Sequence, residues 1–236
     1  MKLKNLGAKI KAFIFDLDGT LVDSFDAYQK SINKAFKILG LPLVTKKEVL
    51  EVMCKGKSPW EALIPKNISQ RDKVIKECML LTRKFFASTY LKEAKLIDGV
   101  YEVFRELTNK GVLIGIATAI QDKKALRILE KYGVDKFVSA VVRRSEVLRD
   151  KPAPDLILKC AKKLGVSPKN CVFVGDSPLD VKAGNAAGAV TIAVLTGVGD
   201  YISLIKEKPL KIVSGLGELL KFIRQIFEES QPNQKP

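Results

Sequence analysis

Two aspartates, two positions apart, close the first apolar run of this chain. The stretch "FIFDLDGTLVDS", residues 13–24, carries Asp16 and Asp18. Two more acids, Asp176 and Asp180, follow a later run in "CVFVGDSPLD" (171–180). Between them, Thr118 and Ala119 follow "VLIGIA" (112–117), and Lys151 stands in "DKPAPD" (150–155). Carboxylates brought close together repel and are costly to desolvate unless positive charge joins them. A hard divalent cation such as Mg²⁺ does this well, because it takes oxygen ligands and keeps room for a phosphate oxygen. Lys151 and Thr118 would then hold the remaining oxygens of a phosphoryl group.

That chemistry requires elements that bring the six side chains to one place. The runs "KAFIF" (11–15), "VLIGIAT" (112–118), "FVSAVV" (137–142), "CVFVG" (171–175) and "VTIAVL" (190–195) are largely apolar on both faces, as central parallel strands are. Helical spacing separates them. Val100, Val103, Phe104 and Leu107 fall on one face of "GVYEVFRELTNKG" (99–111), and "KKALRILEKYG" (123–133) and "APDLILKCAKKLG" (153–165) repeat the pattern. "PLDVKAGNAAG" (178–188) reads as a small-residue helix suited to close packing. The alternation predicts an α/β fold, a doubly wound Rossmann-like parallel sheet with right-handed crossovers. Ligands of such sheets sit beyond the carboxyl ends of the strands, where all six side chains fall.

One interval breaks the rhythm. Residues 22–97 contain no convincing strand, whereas 26–40, 45–53 and 69–91 read as helices. We expect a helical cap at 22–97, inserted after the first strand of a core formed by 1–21 and 98–236, with a frayed polar tail at about 229–236. Residues 22–97 hold 15 Lys+Arg against 8 Asp+Glu, a positive density about twice that of the rest, which suits a lid over an anionic substrate.

Composition removes other chemistries. With no histidine, Ser-His-Asp and Cys-His devices, phosphohistidine transfer and a Cys/His zinc site are all excluded. The four cysteines form no CxxC pair, and the residues six positions after them are Trp60, Lys84, Val166 and Ser177, so no Cys-x5-Arg loop exists. Reduced core cysteines are the expectation. No apolar stretch is long enough to span a membrane and the basic N-terminus lacks a signal-peptide core, so a cytoplasmic location is the default. The net charge of +15 raises nucleic-acid binding as an alternative. The basic residues are dispersed, however, and a pure binder has no use for acids at every strand end. We expect a solvated lysine-rich surface, no specific nucleic-acid or membrane partner, and a monomer by default with a dimer open.

The set "DLDGT", a strand-end Thr, a Lys before "PAPD" and "GDSPLD", in that order, resembles the haloacid dehalogenase superfamily, nearest its phosphoglycolate phosphatase and β-phosphoglucomutase group. The resemblance implies a Mg²⁺-dependent phosphatase of small phosphorylated metabolites. In that reading Asp16 is the nucleophile that becomes an aspartyl phosphate, and Asp18 is the general acid and base. Thr118, Ala119 and Lys151 bind the phosphoryl group. Mg²⁺ is held by Asp16, the Asp18 main-chain carbonyl and Asp176, with Asp180 behind them steadying the site or Lys151. Dehalogenases of the superfamily lack an acid at the position of Asp18. "DLDGTL" leans away from mutases, which usually read "DLDGV", while a pyrophosphatase stays open. The Gly-hinged turn "CKGKSPW" (54–60) offers Lys55 and Lys57 to the substrate beyond its phosphate, or to solvent. Trp60 is expected in the cap core.

Overall fold

The computed structural model describes residues 6–121 and 123–228. Its frame is a six-stranded parallel sheet: β1 (Ala12–Phe15), β4 (Leu113–Thr118), β5 (Ala140–Arg143), β6 (Cys171–Gly175), β7 (Val190–Val194) and β8 (Lys211–Val213). The spatial order is β5-β4-β1-β6-β7-β8, so the chain fills one side of β1 and then the other. The order reverses between β1 and β6, and ligands of such sheets bind in the crevice at that switch point. Phe15 pairs with both Ile116 and Val174, so β1, β4 and β6 end within two residues of one another.

β1 is buried along its whole length. Its side chains alternate between two cores, as the pleat requires. Phe13 and Phe15 join the core under α5 (Val100–Asn109) and α10 (Leu216–Glu228). Ala12 and Ile14 join the core under α7 (Asp155–Leu164) and α8 (Pro178–Ala186). The predicted stripe on α5 is entirely buried, with Val100, Val103, Phe104 and Leu107 facing the sheet. Cys78, Cys160 and Cys171 are buried free thiols, and Cys54 is half-buried.

Between β1 and β4 lies the helical insertion: α1 (Phe25–Ile38), α2 (Lys46–Cys54), α3 (Pro59–Leu63) and α4 (Arg71–Glu93). It has its own core of Ile32, Phe36, Val49, Ile64 and Cys78, with Trp60 packed against it. α1 and α4 lie along each other, joined by the Ser31 and Thr89 hydroxyls at 3.3 Å and the Lys30–Glu93 ion pair at 2.8 Å.

Several elements differ from the sequence expectation. A two-stranded antiparallel ribbon, β2 (Val22–Asp23) with β3 (Lys95–Leu96), ties the two ends of the insertion together. Two-residue strands carry no periodicity to detect. The short helix α3 begins within the last two residues of the stretch read as a turn, 54–60, and runs beyond it. β8 was also invisible, because a three-residue edge strand opening on lysine lacks the apolar run of a central one. The strand expected at 137–142 is shifted, with Asp135–Phe137 forming a 3₁₀ turn before β5. The region read as a helix at 123–133 divides into a 3₁₀ turn over Lys123–Leu126 and α6 (Arg127–Lys131). α9 (Tyr201–Lys206) follows β7. The tail predicted to fray, 229–236, lies outside the described residues. Among those described, no helix is long and apolar enough to cross a membrane.

Candidate active site

The switch point is lined by acids. Asp16 directly follows β1 and Asp176 directly follows β6, so adjacent strands deliver them side by side. Asp180 sits in the first turn of α8. One oxygen of each of the three lies within 4.8 Å of the others, and all three residues are buried. Lys151 closes the group from the loop before α7. Its Nζ donates at 2.6 Å to Asp16 Oδ1 and at 2.6 Å to Asp180 Oδ1, with only 7% of its side chain exposed.

Asp180 has two tasks, one in α8 and one toward Lys151. Its Oδ2 accepts from the Ser177 amide at 3.1 Å and the Ser177 hydroxyl at 2.5 Å, and its own amide donates back to Ser177 Oγ. That reciprocal pair is the capping box of α8. Its Oδ1 meanwhile aligns Lys151. Both oxygens are occupied by protein donors.

Asp18 is half-buried and is held by the insertion. The Ser24 hydroxyl donates to its Oδ1 at 2.5 Å and the Tyr90 hydroxyl donates to the same oxygen at 2.9 Å. Desolvation pushes the Asp18 carboxyl upward, against these two hydrogen bonds and the field of Lys151. Burial, then the charge of Asp18, holds the Tyr90 phenol far above its ordinary range, so it remains a donor.

Asp176 is caged by a segment the sequence reading passed over. Thr20 Oγ1 donates to its Oδ1 at 3.0 Å, and the Val198 amide to its Oδ2 at 2.9 Å. The Gly199 amide bonds its carbonyl at 2.9 Å, and Thr196 Oγ1 donates to the Gly19 carbonyl at 2.6 Å. A Cβ on Gly197 would fall 2.0 Å from Asp176 Oδ2, and one on Gly19 (φ +81) 2.5 Å from it. Only glycine lets both loops close on this carboxylate. The signal was present: "TGVGD" (196–200) follows a strand end just as the other stations do.

Thr118, the last residue of β4, is 1% exposed. Its Oγ1 accepts the Ile120 amide at 3.1 Å, which leaves the hydroxyl proton able to donate. Ala119 is the exposed residue that follows. Lys55 and Lys57 are exposed in the turn after α2. That turn rests against the core: Cys54 Sγ lies 3.3 Å from Ser203 Oγ of α9, and a Cβ on Gly56 would lie 3.6 Å from Leu179, the neighbour of Asp180.

Three carboxylates against one ammonium leave the buried cluster two negative charges in excess when all are ionised. Lys151 is fixed in its charged form because Asp16 and Asp180 together outweigh its burial. Burial raises the Asp16 carboxyl well above its ordinary value, with Asp180 and Asp176 adding to the rise and Lys151 opposing it. Burial and Asp180 raise Asp176 to about 7. A divalent cation on oxygen ligands would remove the excess, so the donor set fits a hard metal ion. Asp16 and Asp176 suit it best, since each directly follows a strand at the switch point, whereas Asp180 is tied to Lys151 and to the capping box of α8.

The raised carboxyl of Asp176 has a sign that can be tested. In the cation-free protein its contribution to stability is complete below 3.8 and is lost as pH rises toward about 7. Cation binding must displace that proton. Mg²⁺ affinity measured by calorimetry is expected to fall ~10-fold for each pH unit below about 7. Affinity constant down to about pH 5 would show that Asp176 is ionised throughout.

Known proteins resemble this chain over most of its length. The sequence profile described as "Haloacid dehalogenase-like hydrolase" matches residues 13–194. A protein of Clostridium perfringens named "Putative pyrophosphatase PpaX" is 32% identical over 199 residues, covering 84% of this chain and 88% of that one. A phosphoglycolate phosphatase of Escherichia coli O157:H7 is 27% identical, covering 94% and 96%. Among solved structures, one of a "predicted phosphoglycolate phosphatase" from Haemophilus somnus superposes with a TM-score of 0.76 at 25% identity, covering 90% and 97%.

Proposed function

The chain belongs to the haloacid dehalogenase-like hydrolases, and on that premise we propose that it is a Mg²⁺-dependent phosphatase of small phosphate monoesters. The observation that carries this reading is Lys151, held at 2.6 Å by both Asp16 and Asp180 beside a third buried acid. One ammonium so placed can neutralise a transferring phosphoryl group while leaving Asp16 aimed at it.

In the proposed reaction a carboxylate oxygen of Asp16 attacks phosphorus, and the ester P–O bond breaks. Asp18 gives its proton to the departing alcohol. It then takes a proton from the water that attacks the aspartyl phosphate, releasing inorganic phosphate and restoring Asp16. Lys151 and Thr118 hold the equatorial oxygens, with the amide beyond Thr118 at Ala119 assisting. Asp180 orients Lys151. Asp16, the Asp18 main-chain carbonyl and Asp176 would hold Mg²⁺, which when bound supplies positive charge to the phosphoryl oxygens. Lys55 and Lys57, on the turn resting beside Leu179, are assigned to anionic groups of the substrate beyond the ester phosphate. Asp18 is of use chiefly where the leaving group needs a proton, which favours an alkyl ester. Pyrophosphate is the second candidate, because the relative from Clostridium perfringens carries that name.

The test is a panel of phosphorylated metabolites, including two-carbon hydroxy-acid phosphates, sugar phosphates and pyrophosphate, read by phosphate release. Hydrolysis of an ester is expected, lost in EDTA and restored by excess Mg²⁺. Full activity in the chelated protein, or no release from any ester, would overturn the reading. A phosphate that moves to a second hydroxyl without release would mark a mutase instead.

A further inference from the structure

Tyr90 lies in the last turn of α4, one of the insertion's helices, and Asp18 lies at the end of β1 in the core. Their contact at 2.9 Å crosses from one to the other. The tyrosine is 1% exposed, and its ring is fixed edge-on to Phe86, which is itself edge-on to Tyr28 of α1. Ser24, the second donor to Asp18, precedes α1 and follows β2. Tyr90 is followed, after Leu91, Lys92 and Glu93, by Ala94 and β3. The two hydroxyls thus come from the strands of chain that enter and leave the insertion, and both meet the same oxygen, Oδ1.

We propose that Tyr90, acting with Ser24, is a positioning residue for proton transfer: the two hydroxyls pin Asp18 by Oδ1 and turn Oδ2 toward the departing alcohol. The inference rests on the phosphatase reading above. An oxygen that already accepts two O–H donors is a poor place for a third proton, so the acid's own proton resides on Oδ2. As the P–O bond breaks, that proton passes to the leaving oxygen and the resulting negative charge is shared with Oδ1. The two hydrogen bonds strengthen as it develops, since bonds to ionised acceptors exceed those to neutral ones. The acid is then oriented by the insertion rather than by the sheet that carries it.

Tyr90→Phe removes one hydroxyl and keeps the ring against Phe86. The readout is the ratio of kcat/KM for an alkyl ester, glycerol 2-phosphate, to that for p-nitrophenyl phosphate, both with Mg²⁺. kcat/KM reports only steps up to alcohol departure, and p-nitrophenolate leaves without needing a proton. The ratio is expected to fall ~10–100-fold in the variant, the loss of one hydrogen bond to a developing charge. A ratio equal to the wild type's, whether both esters slow together or neither does, would overturn the role, because a merely structural tyrosine moves both alike. Should Tyr90→Phe fail to fold, Ser24→Ala deletes the other donor to the same oxygen. Ser24 makes no side-chain cap bond to α1, so helix capping does not confound it. An unchanged ratio there overturns the proposal equally. A wild-type protein inert toward both esters would instead count against the phosphatase reading.

Discussion

Asp16→Asn is expected to yield a folded protein with turnover reduced by at least ~10³-fold, because an amide cannot take the place of the attacking carboxylate. The stability of the same variant makes the result decisive. Wild-type Asp16 is buried against Asp180 and Asp176, and burial together with these neighbours raises its carboxyl well above the ordinary value despite Lys151. A raised carboxyl contributes its full stability below the unfolded value of 3.8 and loses it as pH rises through the folded value. Asparagine has no such dependence. Measured in EDTA, the variant should melt no lower than the wild type near neutral pH, and its advantage should grow with pH. Substantial residual turnover would end the nucleophile role. A lower melting temperature across the whole range would show that Asp16 is chiefly a structural partner of Lys151.

Lys151→Met is expected to act on stability with the opposite sign. Methionine keeps the apolar stem and deletes the ammonium, which lies over the Phe173 ring. Asp16 and Asp180 are then left facing each other in a buried site. Removing one partner of a buried ion pair costs about 3–5 kcal/mol, reduced here by whatever the carboxylates recover on taking up protons. Urea unfolding in EDTA near neutral pH should show this loss, and it should shrink on acidification as the acids become neutral. With Mg²⁺ present, kcat/KM should drop by at least ~10³-fold, since the charge that offsets the phosphoryl oxygens is gone. Stability unchanged near neutral pH would mean that Lys151 does not hold the two acids in solution, and the proposed geometry of the site would fail with it.

The two variants separate quantities that a single inactive mutant confounds. One removes charge from an over-crowded set of acids and the other removes its counter-charge. Loss of activity with opposite shifts in stability is a signature of a built electrostatic site rather than of a damaged fold.

Much of this was legible in the chain. Strands buried on both faces must be apolar throughout, so β1, β4, β6 and β7 announced themselves as short β-branched runs. A parallel sheet places its chemistry at carboxyl ends, so Asp16, Thr118 and Asp176 could be read off at the ends of β1, β4 and β6, with Lys151 in the loop that follows β5. The absence of histidine confined the proton chemistry to acids, Lys, Tyr and Cys. The elements that escaped were those whose identity depends on a partner distant in sequence. The ribbon of β2 and β3 is made by residues some seventy positions apart, and β8 exists because it lies along the edge of β7.

Which side chains would meet was set along the chain, because an apolar run fixes a strand and a strand fixes which residue stands at its end. How each is held came from packing alone. Asp180 is both the cap of α8 and the aligner of Lys151, Asp176 is enclosed by Gly19 and Gly197, and Asp18 takes its orientation from Ser24 and Tyr90. Tyr90 stands 72 positions from Asp18, with four helices packed between the two ends of the insertion. No local pattern marks such a contact, because a hydrogen bond of 2.9 Å is set by the packing of α4 against α1 and by the ribbon that closes beneath them.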